Sequence, residues 1–240
     1  MNNKQLTQSQ KELINLFIST KTNAKVRRRI QNTDGTYSFE VIYRDTSPID
    51  FALTQGEFAL KIHEQHPNAP LSPVYINLRN LPGGLNQKIG EILAQIDLPE
   101  KPDFCASIPK AADAFIKSYA DLAGVPIVQI FDKVDTDQKR TVVAKESAPK
   151  GNGKKIVLMD DLIVHGNSKV EALKIAEDLG YKVIGLVVLI DREQGGVEKI
   201  EDMGYKTFFA MSFSSILQYL RETDQISQAQ FRRVMDYLKE

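Results

Sequence analysis

From Gln55 onward, helical periodicity alternates with short apolar runs, and that alternation decides the fold class. Helical spacing appears in Ile89, Ile92, Leu93 and Ile96, in Ala111 to Leu122, in Val170 to Leu179, and in the stretch from Ser227. Between these lie five short apolar runs: Phe104 to Ile108, Ile127 to Phe131, Ile156 to Met159, Val183 to Ile190 and Thr207 to Met211. Strands buried on both faces read as continuous apolar runs, and crossover helices join such strands in parallel. The pattern predicts an α/β protein with a mostly parallel twisted sheet flanked by helices.

The N-terminal part reads differently. Ser9 and Glu12 have capping-box spacing ahead of Leu13, Ile14, Leu16 and Phe17, which predicts a helix of about three turns. Lys25 to Arg44 alternates around Asp34-Gly35 and predicts a two-stranded ribbon. Residues 1–51 are thus expected to form an N-terminal helix and β-hairpin extension, with one main domain over 52–240. The run Lys25-Val26-Arg27-Arg28-Arg29 suits either an anion or a solvated ribbon edge.

Charge and composition narrow the partners. Across 240 residues, 31 basic side chains balance 31 acidic ones, so no global field favours nucleic acid, and any anion has to be caught locally. A single cysteine, Cys105, excludes an internal disulfide, and in its apolar run it reads as a small core residue. The start MNNKQLTQSQ lacks the basic and apolar regions of a secretion signal, so a cytoplasmic location is expected. Val183 to Ile190 falls far short of the roughly 20 apolar residues of a membrane helix. His63, His66 and His165 show no metal-ligand spacing with Cys105, and no protein-held metal is expected.

The stretch Lys155 to Lys169 carries the chemistry. Apolar Ile156 to Met159 end in Asp160 and Asp161, a loop with Gly166 follows, and Ser168 with Glu171 is spaced as a capping box opening the next helix. A strand, a glycine loop and a helix start aim backbone N–H groups at one spot and suit a phosphate. Carboxylates only accept hydrogen bonds, so the acidic pair suits the vicinal hydroxyls of a sugar, and a ribose 5-phosphate would satisfy both halves. Two other readings stand beside it: a receiver-type acidic pair holding Mg²⁺, and a plain strand end with a solvated loop. About eighty residues after Asp161 are too few for the first of these.

Ile156 to Ser168 resembles the phosphoribosyl pyrophosphate motif of type I phosphoribosyltransferases, and the orotate branch of that family is the most similar. Gly56 to Lys61 and Ser72 to Arg79 resemble its hood, Leu189 to Gly196 its base-binding segment, and Phe208 to Glu240 its C-terminal helices. The resemblance divides 52–240 into a small hood (52–80), a core (81–211) and C-terminal helices (212–240). It implies that Asp160 and Asp161 face the ribose hydroxyls, and that Val164, His165, Gly166, Asn167 and Ser168 hold the 5-phosphate. It further implies that Lys110 approaches pyrophosphate and that Lys61 and Arg192 bind the base, with Arg192 gripping a carboxylate such as orotate's. Phosphoribosyl pyrophosphate and a nucleobase are the implied substrates. Mg²⁺ is the implied cofactor, held through pyrophosphate, and a homodimer the implied assembly.

The chain also departs from that pattern. Where the orotate enzymes carry a mobile basic loop ending in His-Gly, this chain has Phe131 to Thr141, with Lys133, Lys139 and Arg140 as its cations, three aspartates among them and no histidine or glycine. Val164 stands where a hydroxyl residue is usual, and Ser107 where a glycine is. The resemblance therefore implies transfer to orotate or a related carboxylated base with Lys133, Lys139 and Arg140 as the catalytic cations. The alternative it leaves is a weak or inactive relative that binds a nucleotide or phosphoribosyl pyrophosphate in a regulatory role.

Overall fold

The computed structural model describes residues 5–59, 62–135 and 140–239. They form two compact units, Met1–Leu13 with Arg79–Ile216, and Ile14–Leu78 with Leu217–Glu240. This grouping differs from a division at residue 51. The hairpin, the stretch after it and the last helix share one unit, and a boundary falls inside the first helix.

That helix, α1 (Gln8–Ser19), is capped by Thr7 and not by Ser9. The Gln10 amide donates to Thr7 Oγ1 at 3.3 Å, and the Thr7 amide donates to Gln10 Oε1 at 2.8 Å, so the reciprocal pair lies two residues earlier than the Ser9–Glu12 spacing suggests. Leu13, Ile14 and Phe17 on its inner face are fully buried.

β1 (Thr22–Gln31) and β2 (Tyr37–Thr46) form the expected antiparallel ribbon, with Val26 opposite Ile42. Its arginines have partners within the protein. Arg27 pairs with Glu64 and lies 5.0 Å from the centre of the Phe39 ring, and Arg28 pairs with Glu40. Arg29 donates to the carbonyls of Pro67 and Ala69 and covers Tyr37. The ribbon is thereby tied to the short helix α2 (Ile62–Gln65) and the turn after it. β3 (Ile49–Phe51) pairs antiparallel with β4 (Val74–Ile76) in the same unit.

Residues 56–59 lie along β1: the Arg29 amide donates to the Gly56 carbonyl at 2.8 Å, and the Ala59 amide to the Arg27 carbonyl at 3.0 Å. Gly56 has φ 88, and a Cβ there would collide with the Arg29 carbonyl, so only glycine fits. Beside it Arg44 reaches two buried carboxylates, Asp50 and Glu57, each at 2.7 Å. Glu57 also accepts from the Leu53 amide, the Thr54 amide and the Thr54 hydroxyl, which hold its carboxyl below the ordinary range against the cost of burial.

The other unit is the α/β core. Along the chain run α3 (Gly83–Leu93), β5 (Phe104–Ser107), α4 (Ile116–Ala123), β6 (Phe131–Asp135), β7 (Arg140–Ala144) and β8 (Lys155–Ile163). α5 (Asn167–Asp178), β9 (Lys182–Asp191), α6 (Gly196–Asp202) and β10 (Thr207–Ser212) complete it. α7 (Phe213–Glu222) crosses into the other unit, which ends with α8 (Gln228–Tyr237), capped by Ser227 and Gln230.

The sheet has the order β10-β9-β8-β5 with every pair parallel. β8 and β9 are buried on both faces, as their continuous apolar runs require, whereas the edge strand β10 is only partly buried and leaves Phe209 exposed. Ala106, Leu158 and Leu186 pack with Leu173 and Ala176 of α5 and Ile200 of α6. The stretch Ile127 to Phe131 corrects the reading as a fifth full strand. It makes one parallel bridge, Ile127 to Cys105, held by bonds from the Cys105 amide to the Pro126 carbonyl and from the Val128 amide to the Cys105 carbonyl. The Ile130 carbonyl then accepts from the Lys145 amide, and the chain leaves into the antiparallel ribbon of β6 and β7.

This topology locates a crevice. From β5 the chain passes outward to the Ile127 edge, then returns across β5 to β8 and continues to β9 and β10. The connections after β5 and β8 therefore depart in opposite directions, which opens a gap beyond the carboxyl ends of those two strands. Ser107 to Lys110 follow one strand end, and Asp160 to Gly166 lie at the other.

Candidate active site

The acidic end of β8 is asymmetric. Asp160 is 5% exposed; its Oδ2 lies 2.7 Å from Lys169 Nζ and its Oδ1 accepts from the Asp161 amide at 2.9 Å. Asp161 is partly buried, and its Oδ1 accepts from the Leu162 amide at 2.8 Å. Burial first and the Asp160 charge second push the Asp161 carboxyl up to about 7, while Lys169 pulls the other way.

Gly166 caps α5 with φ 72, and the amides of Lys169 and Val170 donate to its carbonyl. The capping box expected from Ser168 and Glu171 does not form. The helix starts one residue before Ser168, because a left-handed Gly166 ends the loop there. Glu171 instead accepts from the Val142 amide at 3.0 Å and ties β7 to α5. The first amides of the helix, at Asn167 and Ser168, open at the mouth of the crevice, where helix starts favour an anion.

The loop after β9 packs directly on the loop between β8 and α5. The Arg192 amide donates to the Ile163 carbonyl at 3.0 Å, and His165 Nδ1 lies 3.1 Å from the Gln194 carbonyl. Lys199 on α6 reaches Asn167 Oδ1 at 2.6 Å. Glu193 accepts from the Ser214 amide and hydroxyl at 2.6 and 2.9 Å, and Asp191 accepts from the Glu193 amide. Burial, foremost, lifts the Asp191 carboxyl to about 6.

On the β5 side, exposed Lys110 lines a cleft of about 540 Å³ with Arg79, Asn80, Asn86, Asp113 and Lys133. Lys133 Nζ donates to the Pro109 carbonyl at 3.1 Å, which hangs the ribbon's first strand over the β5 turn. Ser107 donates to Asp113. Among the described residues that line it, Arg79, Lys110 and Lys133 are cationic and Asp113 is acidic. The structure thus brings Lys110, Lys133 and Arg79 together around this cleft, and brings Asp160, Asp161, 164–168 and the Arg192 loop together around the other strand end.

Arg140 opens β7, while Lys61 and Lys139 lie outside the described residues. Sequence reading missed Lys169, Lys199 and Arg79. For Lys169 a signal existed: it shares the buried stripe of α5 with Ala172, Leu173 and Ala176, at helical spacing where a charge is out of place. Among the described residues no group of three or more His, Cys, Asp or Glu is placed to hold a metal ion.

The family profile described as "Phosphoribosyl transferase domain" matches residues 82–213, more than half of the chain. The chain belongs to this family. As a phosphoribosyltransferase it shares 29% identity over 162 residues with the orotate phosphoribosyltransferase of Aquifex aeolicus, covering 61% of this chain and 82% of that one. Among solved structures, the UMP synthase of Leishmania donovani superposes with a TM-score of 0.64 at 24% identity over 80% of this chain. The match spans only 39% of that longer protein. The orotate phosphoribosyltransferase of Mycobacterium tuberculosis, solved with inorganic phosphate, gives a TM-score of 0.53 at 17% identity, covering 88% of this chain and 99% of the other. At these identities the structural likeness is one of fold, and it is the phosphoribosyltransferase fold with its parallel sheet and flanking helices.

Proposed function

We propose that this phosphoribosyltransferase moves the phosphoribosyl group of phosphoribosyl pyrophosphate onto orotate or a related carboxylated base, with release of pyrophosphate. One observation carries the reading: the loop bearing Arg192 is hydrogen-bonded and packed onto the phosphate loop at a topological switch point. This supports a guanidinium suited to a carboxylate and a 5-phosphate site on adjoining loops. The names of the relatives support the choice of orotate.

In this reading the amides and side chains of 164–168 bind the 5-phosphate, the acidic end of β8 faces the sugar, and Arg192 with Lys61 holds the base. Lys110, Lys133, Lys139 and Arg140 meet the departing pyrophosphate. Fixed cations there act where charge develops, which is the placement that raises rate. Mg²⁺, when bound, adds neutralising charge to pyrophosphate. Asp160 is already paired with Lys169, so the donor set suits an ion that arrives on pyrophosphate oxygens and takes few protein ligands. Cytoplasmic location and an isologous homodimer complete the reading. No helix among the described residues is long and apolar enough to cross a membrane.

The deciding experiment is pyrophosphate release with orotate, uracil and purine bases in the presence of Mg²⁺. Release dependent on orotate supports the reading; release with a base that lacks a carboxylate refutes the role of Arg192. A second reading, binding without efficient turnover in a regulatory role, is favoured by the ribbon, where the exposed Asp132 adjoins Lys133 and no histidine follows. Light scattering tests the assembly: a mass of 27.0 kDa at micromolar concentration would exclude the dimer.

A further inference from the structure

The two aspartates that end β8 do not offer the same face to a ligand. Asp160 has one oxygen on Lys169 and the other on the Asp161 amide, and it is 5% exposed. Lys169 is itself buried, 8% exposed, in the apolar stripe of α5, and among the described residues its other close polar neighbour is Ser168 Oγ at 3.5 Å. Removing one partner of such a buried pair would strand an uncompensated charge, so the two groups hold each other in place. Asp161 commits one oxygen to the Leu162 amide and is more open to the crevice than Asp160.

We propose that Lys169 is an internal countercation that withdraws Asp160 from the ligand and leaves Asp161 as the acidic acceptor for the ribose hydroxyls. Lys169 is thus a positioning residue that sets which carboxylate reads the sugar. A carboxylate has about four acceptor directions. In Asp160 two are filled by protein donors and burial closes the approach to the rest, whereas Asp161 is the less buried of the two. Lys169 also discounts the negative field that the pair exerts on the sugar. The inference rests on the phosphoribosyl reading above.

The test uses the full chain and calorimetric titration with ribose 5-phosphate and its 2-deoxy and 3-deoxy analogues. The wild-type chain is expected to prefer ribose 5-phosphate over at least one analogue by about tenfold, the scale of one hydrogen bond to a charged acceptor. Asp161→Ala should reduce that preference to about twofold or less. The double variant Asp160→Asn/Lys169→Met removes both charges at nearly constant volume and should keep the preference within about twofold of wild type. Lys169→Arg should do the same, since it keeps the countercation. A preference that survives Asp161→Ala, or that collapses in the double variant, overturns the proposal. So does wild-type binding of all three sugars with equal affinity, which would leave the phosphate site standing. Failure of the wild-type chain to bind ribose 5-phosphate or phosphoribosyl pyrophosphate at all would instead sink the proposed function.

Discussion

Gly196 is pressed against Val164: a Cβ on that glycine would stand 2.5 Å from the Val164 carbonyl oxygen and 2.6 Å from a side-chain carbon of Ile163. The approach fixes the phosphate loop from behind. Gly196→Ala is therefore expected to push the loop off its position, at a cost of about 1–3 kcal/mol in stability and with a comparable loss of ribose 5-phosphate affinity. Gly84→Ala in α3, where nothing lies within 4 Å of the new atom, is the control and should leave binding unchanged. Equal affinity in Gly196→Ala and wild type would show that the contact does not shape the site.

Asp191 makes stability depend on pH with a definite sign. Its carboxyl is lifted from 3.8 to about 6, first by burial, so the folded chain keeps a proton that the unfolded chain has released. Stability contributed by this group is highest below pH 4, falls as pH rises to about 6, and is flat above. Asp191→Asn should stabilise the protein at pH 8 by about 1–3 kcal/mol and leave it unchanged at pH 3.5, as read by urea denaturation. A variant less stable than wild type at pH 8 would contradict the assigned cause.

Turnover is expected to be slow, because the ribbon that follows β5 carries few cations for the leaving group. Steady-state rates with orotate should fall below the order of 10 per second, while ligand affinity stays measurable. Lys133→Ala should lower the rate further by about 10²–10³ with little change in ribose 5-phosphate affinity, since on the proposed reading it removes a cation that meets the leaving group. An unchanged rate in that variant would exclude Lys133 from the reaction.

Arg44 holds Asp50 and Glu57 together in the smaller unit, and neither carboxylate reaches bulk water. Arg44→Met should cost about 3–5 kcal/mol, because it leaves two buried anions without their cation. Adding Asp50→Asn and Glu57→Gln to it should recover part of that loss. Urea midpoints of the single and triple variants decide the matter.

Much of this was readable in advance where a local pattern had no rival. The apolar runs of β5, β8, β9 and β10 specify parallel strands, and the step from Met159 to Asp160 ends the apolar run of β8, although the strand itself continues to Ile163. Patterns failed where a distant group decided. Glu171 has the spacing to cap its own helix, but the Val142 amide claims it. Ser9 offers a hydroxyl, but Thr7 with Gln10 forms the cap first. Lys169 escaped notice because a lysine is ordinarily assigned to solvent, and only the register of α5 shows that its side chain turns inward. Arg27 and Arg29 of β1 looked available because their partners, Glu64, Pro67 and Ala69, lie more than thirty residues away.

The division of the chain bears on the order in which the protein is made. One unit takes residues 14–78 from before the α/β core and 217–240 from after it, so its first segment is synthesised long before the helices that complete it. Units fold during synthesis as their residues become available. Proteolysis of ribosome-bound chains stalled at increasing lengths is expected to find 79–216 protected while 14–78 is still cut. The segment that leaves the ribosome early thus waits on a later one, and the phosphate loop can be in place before the hairpin that precedes it in the sequence has found its final neighbours.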